Sequence, residues 1–176
     1  MALRNILSEK DSTLLKKSRE ITKFDNRLHT LLDDMRETLI DANGLGLAAP
    51  QVGVLRRAFI VVVPDDVDGD DGESDEECSE QFVEFINPVI VRCEGEQSGS
   101  EGCLSVPGVF GMVARPELVE VHALDRFGSE FSFVGEGMVA RAVCHEINHL
   151  DGVLFTEIAE RILSDEELEE MRAQES

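Results

Sequence analysis

His145 and His149 stand four residues apart, with Glu146 beside the first of them. Upstream, Met138, Val139, Ala142 and Val143 recur at i, i+1, i+4 and i+5 in a stretch without proline, which is the pattern of a helix burying one face. Gly152 follows closely and predicts the helix stop. Residues four apart on a helix share a face, so both imidazoles reach the same point in space. The fold must then accommodate two polar rings near the end of a buried helix, a costly arrangement unless the rings have partners. One metal ion is a partner for both, and Glu146 adjoins it without ligating. Two ligands and a neighbouring base suit metal-assisted hydrolysis. An isolated pair of this kind also occurs as ordinary core or solvated histidines.

Two histidines leave a catalytic metal one protein ligand short. Downstream acids such as Glu157 and Glu160 belong to no second motif. Upstream lies Glu101-Gly102-Cys103-Leu104-Ser105, whose cysteine as thiolate suits zinc or iron. With Gly44-Leu45-Gly46-Leu47-Ala48-Ala49-Pro50-Gln51 before it and His145-Glu146-Ile147-Asn148-His149 after it, the chain resembles peptide deformylase. The resemblance runs from the first residues to about residue 160. Two positions depart from the commonest pattern of that family: Cys144 stands where many members have glutamine, and Asn148 where many have aspartate. Neither is a ligand position, so the departures bear on the surroundings of the histidines.

The resemblance implies removal of the N-formyl group from nascent proteins that begin with N-formylmethionine, releasing formate. It implies Cys103, His145 and His149 as metal ligands and Glu146 as the general base. It implies Gln51 and the backbone N–H of Leu104 as donors to the formyl oxygen. Leu45 and Gly46 would pair by main chain with an extended substrate, alongside Gly102. Met138 and Ala142, one turn before the ligands, are candidates for the methionine pocket, although core packing accounts for them equally. Fe²⁺ is the expected metal in the cell, with Zn²⁺, Ni²⁺ or Co²⁺ possible after purification. Rival readings are another metal peptidase on the same helix, a non-catalytic homologue that holds N-terminal peptides, and a closed structural metal site using Cys144. Glu101 and Arg115 form a candidate buried pair; a solvated arginine is the alternative.

A chain of 176 residues is long enough for one domain over 1–176 with a sizeable core. Its net charge of -21 argues against nucleic acid and against an anionic membrane surface. No apolar run approaches membrane length, and the first residues lack a signal core, which predicts a cytoplasmic protein. Its four cysteines are then free thiols, with Cys93 and Cys144 as small buried hydrophobes and Cys78 without a role. Family members that dock on the ribosome by a basic C-terminal helix differ from this chain, which ends in the acidic run 166–170.

The predicted fold class is α+β, mostly antiparallel β-sheets wrapped around the central helix that carries the histidines. A helix is predicted from Asp25 to Asn43, with Gly44 ending it, and a buried strand over Ala58 to Val63. Phe82 to Val91 reads as extended, with Pro88 marking an edge or a bulge. Glu117 to Leu124 alternates, a turn follows at Asp125 to Gly128, and Phe131 and Phe133 alternate in the next strand. Ser164 and Glu167 form a capping box for a last helix. The stretch 65–80 is rich in Asp, Glu, Gly and Ser without a hydrophobic period, which predicts a mobile solvated loop; a calcium site there lacks the EF-hand spacing. His29 and His122 are expected to be non-catalytic.

Overall fold

The structure is a computed structural model, and it describes residues 2–64 and 80–175. The acidic stretch lies outside the described residues except for Glu80, so the expectation of a mobile loop and the reading of Cys78 fall outside them too. Among the described residues eight strands and four α-helices follow one another: α1 Asn26–Ala42, β1 Gly46–Ala48, β2 Ala58–Pro64, β3 Glu80–Glu94, β4 Gln97–Cys103, β5 Val106–Arg115, β6 Leu118–Leu124, β7 Glu130–Glu136, α2 Gly137–Leu150, α3 Phe155–Ile158, β8 Arg161–Ile162 and α4 Asp165–Glu175. Two antiparallel sheets result, ordered β1-β2-β3-β6-β7 and β4-β5-β8.

The β-branched run of β2 explains how the layers stack. Successive side chains on a strand face opposite ways. Ala58 and Ile60 join Leu28, Leu32, Met35 and Leu39 of α1, while Phe59 and Val61 join Ala140, Val143 and Leu150 of α2. The five-stranded sheet is thus covered by α1 on one face and by α2 on the other, so β2 is apolar throughout. The second sheet flanks α2: the backbone of β5 accepts a hydrogen bond from Arg141 of α2 at Val113. The sheets therefore wrap α2 as expected, and α1 forms an additional outer layer.

Local chemistry sets the ends of the elements. The Asp25 side chain accepts from the Leu28 N–H and caps α1. Asn43, not Gly44, takes the left-handed conformation that closes α1, at φ 53°, because a short amide side chain tolerates that region. Gly152, at φ 76°, follows the end of α2 as expected. Ser164 and Glu167 form their reciprocal capping bonds at α4. Pro88 lies where the register of β3 against β6 shifts between Ile86 and Val89. It marks a bulge in an interior strand and not an edge. Cys144 is buried, but Cys93 is exposed, within the exposed run Val91 to Glu94 at the end of β3. His122 is exposed, and His29 Nε2 lies 2.9 Å from the Arg126 carbonyl, away from α2.

Candidate metal centre and active site

One turn of α2 and the end of β4 meet at a point. The Sγ of Cys103 and one ring nitrogen each from His145 and His149 lie within 4.8 Å of one another. Cys103 Sγ is 3.3 Å from His149 Nε2. His145 donates its Nδ1–H to Glu101, which turns Nε2 of that ring toward the thiol. A ligating histidine fixed through its other nitrogen by a carboxylate is the arrangement metal sites use. Burial pushes His149 down to about 3, so its ring is neutral and its lone pair free. Burial also disfavours the charged form of His145, but Cys103 and Glu101 outweigh it and push that ring up to about 10. The donor set, one cysteine sulfur and two imidazoles without a fourth protein donor among the described residues, fits a catalytic site for zinc or iron.

Glu101 is the centre of the supporting network. Burial alone would raise its carboxyl, yet hydrogen bonds from His145 and Arg115 hold it at about 2. Arg115 donates from Nη2 at 2.6 Å and from Nε at 3.1 Å, and Arg141 donates from Nη1 at 3.0 Å. The Glu101–Arg115 pair is thus buried, as one of the two sequence readings had it, and it extends to a second arginine. Arg115 also donates to the side-chain oxygen of Asn148. An aspartate there would give the guanidinium a second carboxylate; this chain offers it a neutral acceptor. Cys144 does not join the three donors. It faces Val119, Val121 and Val143 in the core, where burial pushes its thiol up to about 11.

Glu146 is 3% exposed, its Oε2 is buried without a partner, and burial raises it to about 7. Its side chain lies against β1: a methyl group built on Gly46 would stand 2.6 Å from Glu146 Oε1. Gly46 therefore does more than offer its main chain; it makes room for the carboxylate. Gln51 is buried, its Oε1 accepting from the Ala48 N–H at 2.9 Å and its Nε2 donating to Ser105 Oγ at 3.1 Å. The same amide nitrogen is 3.6 Å from Cys103 Sγ. Beside these groups opens a cavity of about 490 Å³, lined among others by Leu45, Gly46, Leu104, Phe110, Met138 and Ala142. Met138 and Leu45 are more than half exposed at its mouth, and Gly102 lies under the Phe110 ring. The carbonyl of Leu45 already accepts from the Val62 N–H at 2.8 Å. The structure brings every residue nominated from the sequence to this one cavity or to the three donors at its base.

The family model for polypeptide deformylase matches residues 3–164. The chain belongs to the polypeptide deformylase family. It is 50% identical over 173 residues to a peptide deformylase of Caldicellulosiruptor bescii, covering 98% of this chain and 95% of the relative. It is 47% identical over 169 residues to one from Caldanaerobacter subterraneus subsp. tengcongensis, covering 96% and 97%. The crystal structure of a peptide deformylase from Legionella pneumophila has a TM-score of 0.77 and 39% identity, covering 99% of this chain and 98% of that one. That of Thermotoga maritima has a TM-score of 0.78 at 32% identity, covering 91% and 99%. The deformylase reaction is the hydrolytic removal of the formyl group from N-terminal formylmethionine. The family is metal-dependent, in accord with the Cys103, His145 and His149 cluster.

Two residues near this deformylase centre carried too weak a sequence signal to be singled out. Arg141 is one; it stands three residues after Met138 and four before His145, on the same helical face, and the chain otherwise buries few arginines. Ser105 is the other, buried beneath Gln51. The contact at Gly46 makes a prediction. Gly46→Ala should lower kcat about tenfold or more, because small displacements of a catalytic group cost heavily, with metal content and circular dichroism unchanged. A kcat equal to the parent's would show that Glu146 need not hold its observed place.

Proposed function

We propose that Cys103, His145 and His149 hold one divalent cation and that Glu146, Gln51 and the Leu104 N–H act on a formyl group placed beside it. When bound, the cation supplies a Lewis acid that lowers the pKa of water and polarises a carbonyl. Glu146, next to the first histidine, takes the proton of the attacking water and passes it to the departing amine. Gln51 and Leu104 donate to the formyl oxygen as negative charge builds on it. For this the Gln51 amide must turn one N–H from Ser105 or Cys103 toward the substrate. β1 is the outer strand of its sheet, so an extended peptide adds along Leu45 and Gly46, with Gly102 of β4 opposite. The first side chain enters the cavity beside Met138 and Ala142. A relative from Acinetobacter baumannii, 34% identical with a TM-score of 0.76, was solved with Met-Ala-Ser bound, the peptide that this reading leaves as product of formyl-Met-Ala-Ser. The observation that carries the reading is the meeting of the three donors with the unpartnered, buried Glu146 carboxylate.

Fe²⁺ is the metal we assign to the cell. A thiolate with two imidazoles suits both iron and zinc, and divalent affinities rank zinc higher, so protein purified in air will tend to carry zinc. No helix is long and apolar enough to cross a membrane. A reducing cytoplasm goes with the reading, because Cys103 must remain unoxidised. The test strips the metal anaerobically and reloads Fe²⁺, Ni²⁺, Co²⁺ or Zn²⁺ at matched occupancy. Formate release from formyl-Met-Ala-Ser should be fastest with iron and absent without metal. A zinc form as fast as the iron form would overturn the iron assignment, and release by the metal-free protein would overturn the metal centre.

A further inference from the structure

We propose that Arg141 forms a polar wall of the first-residue pocket and that this enzyme deformylates peptides beginning with formylmethionine sulfoxide. The proposal rests on the deformylase reading of the same site and names a further substrate class for it. Met138, Arg141, Ala142 and His145 fall at i, i+3, i+4 and i+7 of α2 and share one face. All four line the same cavity. Arg141 is 4% exposed. Its Nη1 is held by Glu101 and by the Val113 carbonyl, each at 3.0 Å. Among the described residues nothing accepts from its Nη2 or Nε, so the guanidinium keeps donors for whatever fills the cavity.

Gly99 of β4 allows this placement. A methyl group there would stand 3.1 Å from Nη2 and 3.5 Å from Cζ, so the guanidinium lies over a position that carries no side chain. These donors are not sealed away from solvent but open on the cavity, so a ligand acceptor that reaches one replaces water with a charge-assisted bond. The thioether of methionine is a weak acceptor, and norleucine has none. The oxygen of methionine sulfoxide is a far stronger one and projects from the same part of the side chain. Sulfoxide is costly to seat in an all-apolar pocket, but here it meets a cationic N–H. The reaction is the same hydrolysis: water adds to the formyl carbon, the C–N bond breaks, formate and a free amine leave, and the sulfoxide is unchanged.

The metal-loaded enzyme is assayed with formyl-Met-Ala-Ser, its sulfoxide and its norleucine analogue, as kcat/KM. The sulfoxide should exceed norleucine in the parent protein, and that ratio should fall about tenfold or more in Arg141→Met, the size expected for one charge-assisted bond. Arg141→Lys, which keeps a donor on a shorter reach, should fall between. The ratio is taken within each variant, so a reduced active fraction does not affect it. A parent ratio below one, or the same ratio in parent and Arg141→Met, would overturn the proposal. Should Arg141→Met not fold, the parent ratio and the Lys variant decide. Absence of formate from formyl-Met-Ala-Ser itself would sink the parent reading and this one with it.

Discussion

Glu146→Gln will lower formate release about 10²-fold or more while leaving metal content unchanged, because removing a positioned general base forfeits that range of rate. The amide has the shape of the carboxylate but cannot take a proton from water. Nothing else is lost. Among the described residues Glu146 makes no ion pair and its Oε2 has no partner, and the proposed ligands His145 and His149 are untouched. Burial already pushes the carboxyl up to about 7, a sign that its charged form is disfavoured where it stands. The variant should therefore unfold at the same temperature as the parent or higher, a gain in stability bought with function. The two readouts separate the roles. Lost turnover with retained metal and raised Tm identifies a base. Turnover within about threefold of the parent would remove Glu146 from the chemistry, given the rate such a base supplies.

The parts of this site that could be read from the sequence are those whose spacing is itself a geometric statement. His145 and His149 four apart, on a helix with a burial pattern, place both rings before any coordinate is known. The strand at Ala58 to Val63 is legible because an apolar β-branched run closed by proline has few other uses, and it proves buried on both faces. Long-range pairing has no such signature. Spacing alone could not join Cys103 to the histidines, since 41 residues, mostly strands β5 to β7 and the start of α2, separate it from His145; its thiolate chemistry and the resemblance did. Arg141 was invisible because an arginine on a helix is solvated far more often than buried. Only the fold places Gly99 opposite it. Cys93 was misread because a cysteine in an extended apolar stretch is usually covered, and here the last residues of β3, Val91 to Glu94, are all exposed. Gly44 was expected to close α1 because glycine is the commonest residue there; an asparagine one position earlier does so instead.

Glu101→Ala should be the most destabilising single change in the site, about 3–5 kcal/mol, the cost of removing one partner from a buried ion pair. The side chain is nearly inaccessible, and its two oxygens receive Arg115, Arg141 and His145. Both arginines are buried. Without the carboxylate, each guanidinium keeps only a neutral acceptor, Asn148 for Arg115 and the Val113 carbonyl for Arg141. An Asp at position 148 would have offered Arg115 a second charge, so this chain depends on Glu101 more than a chain with that aspartate would. His145 also loses the acceptor that fixes its tautomer, which typically costs about 10–100-fold in metal affinity. The pH dependence has a definite sign. The Glu101 carboxyl is held at about 2, below its ordinary 4.5, so its contribution is complete above pH 4.5 and drains away as pH falls toward 2. Urea unfolding of parent and variant at pH 7 should show the full difference, and the two curves should converge as the pH is lowered through that window. A difference under about 1 kcal/mol at pH 7, the worth of an exposed pair, would mean that the arginines find other partners. Asn148→Asp in the Glu101→Ala background then discriminates: if charge compensation of Arg115 is the main term, the added aspartate restores part of the lost stability, whereas a loss caused by the cavity left behind is unaffected by it.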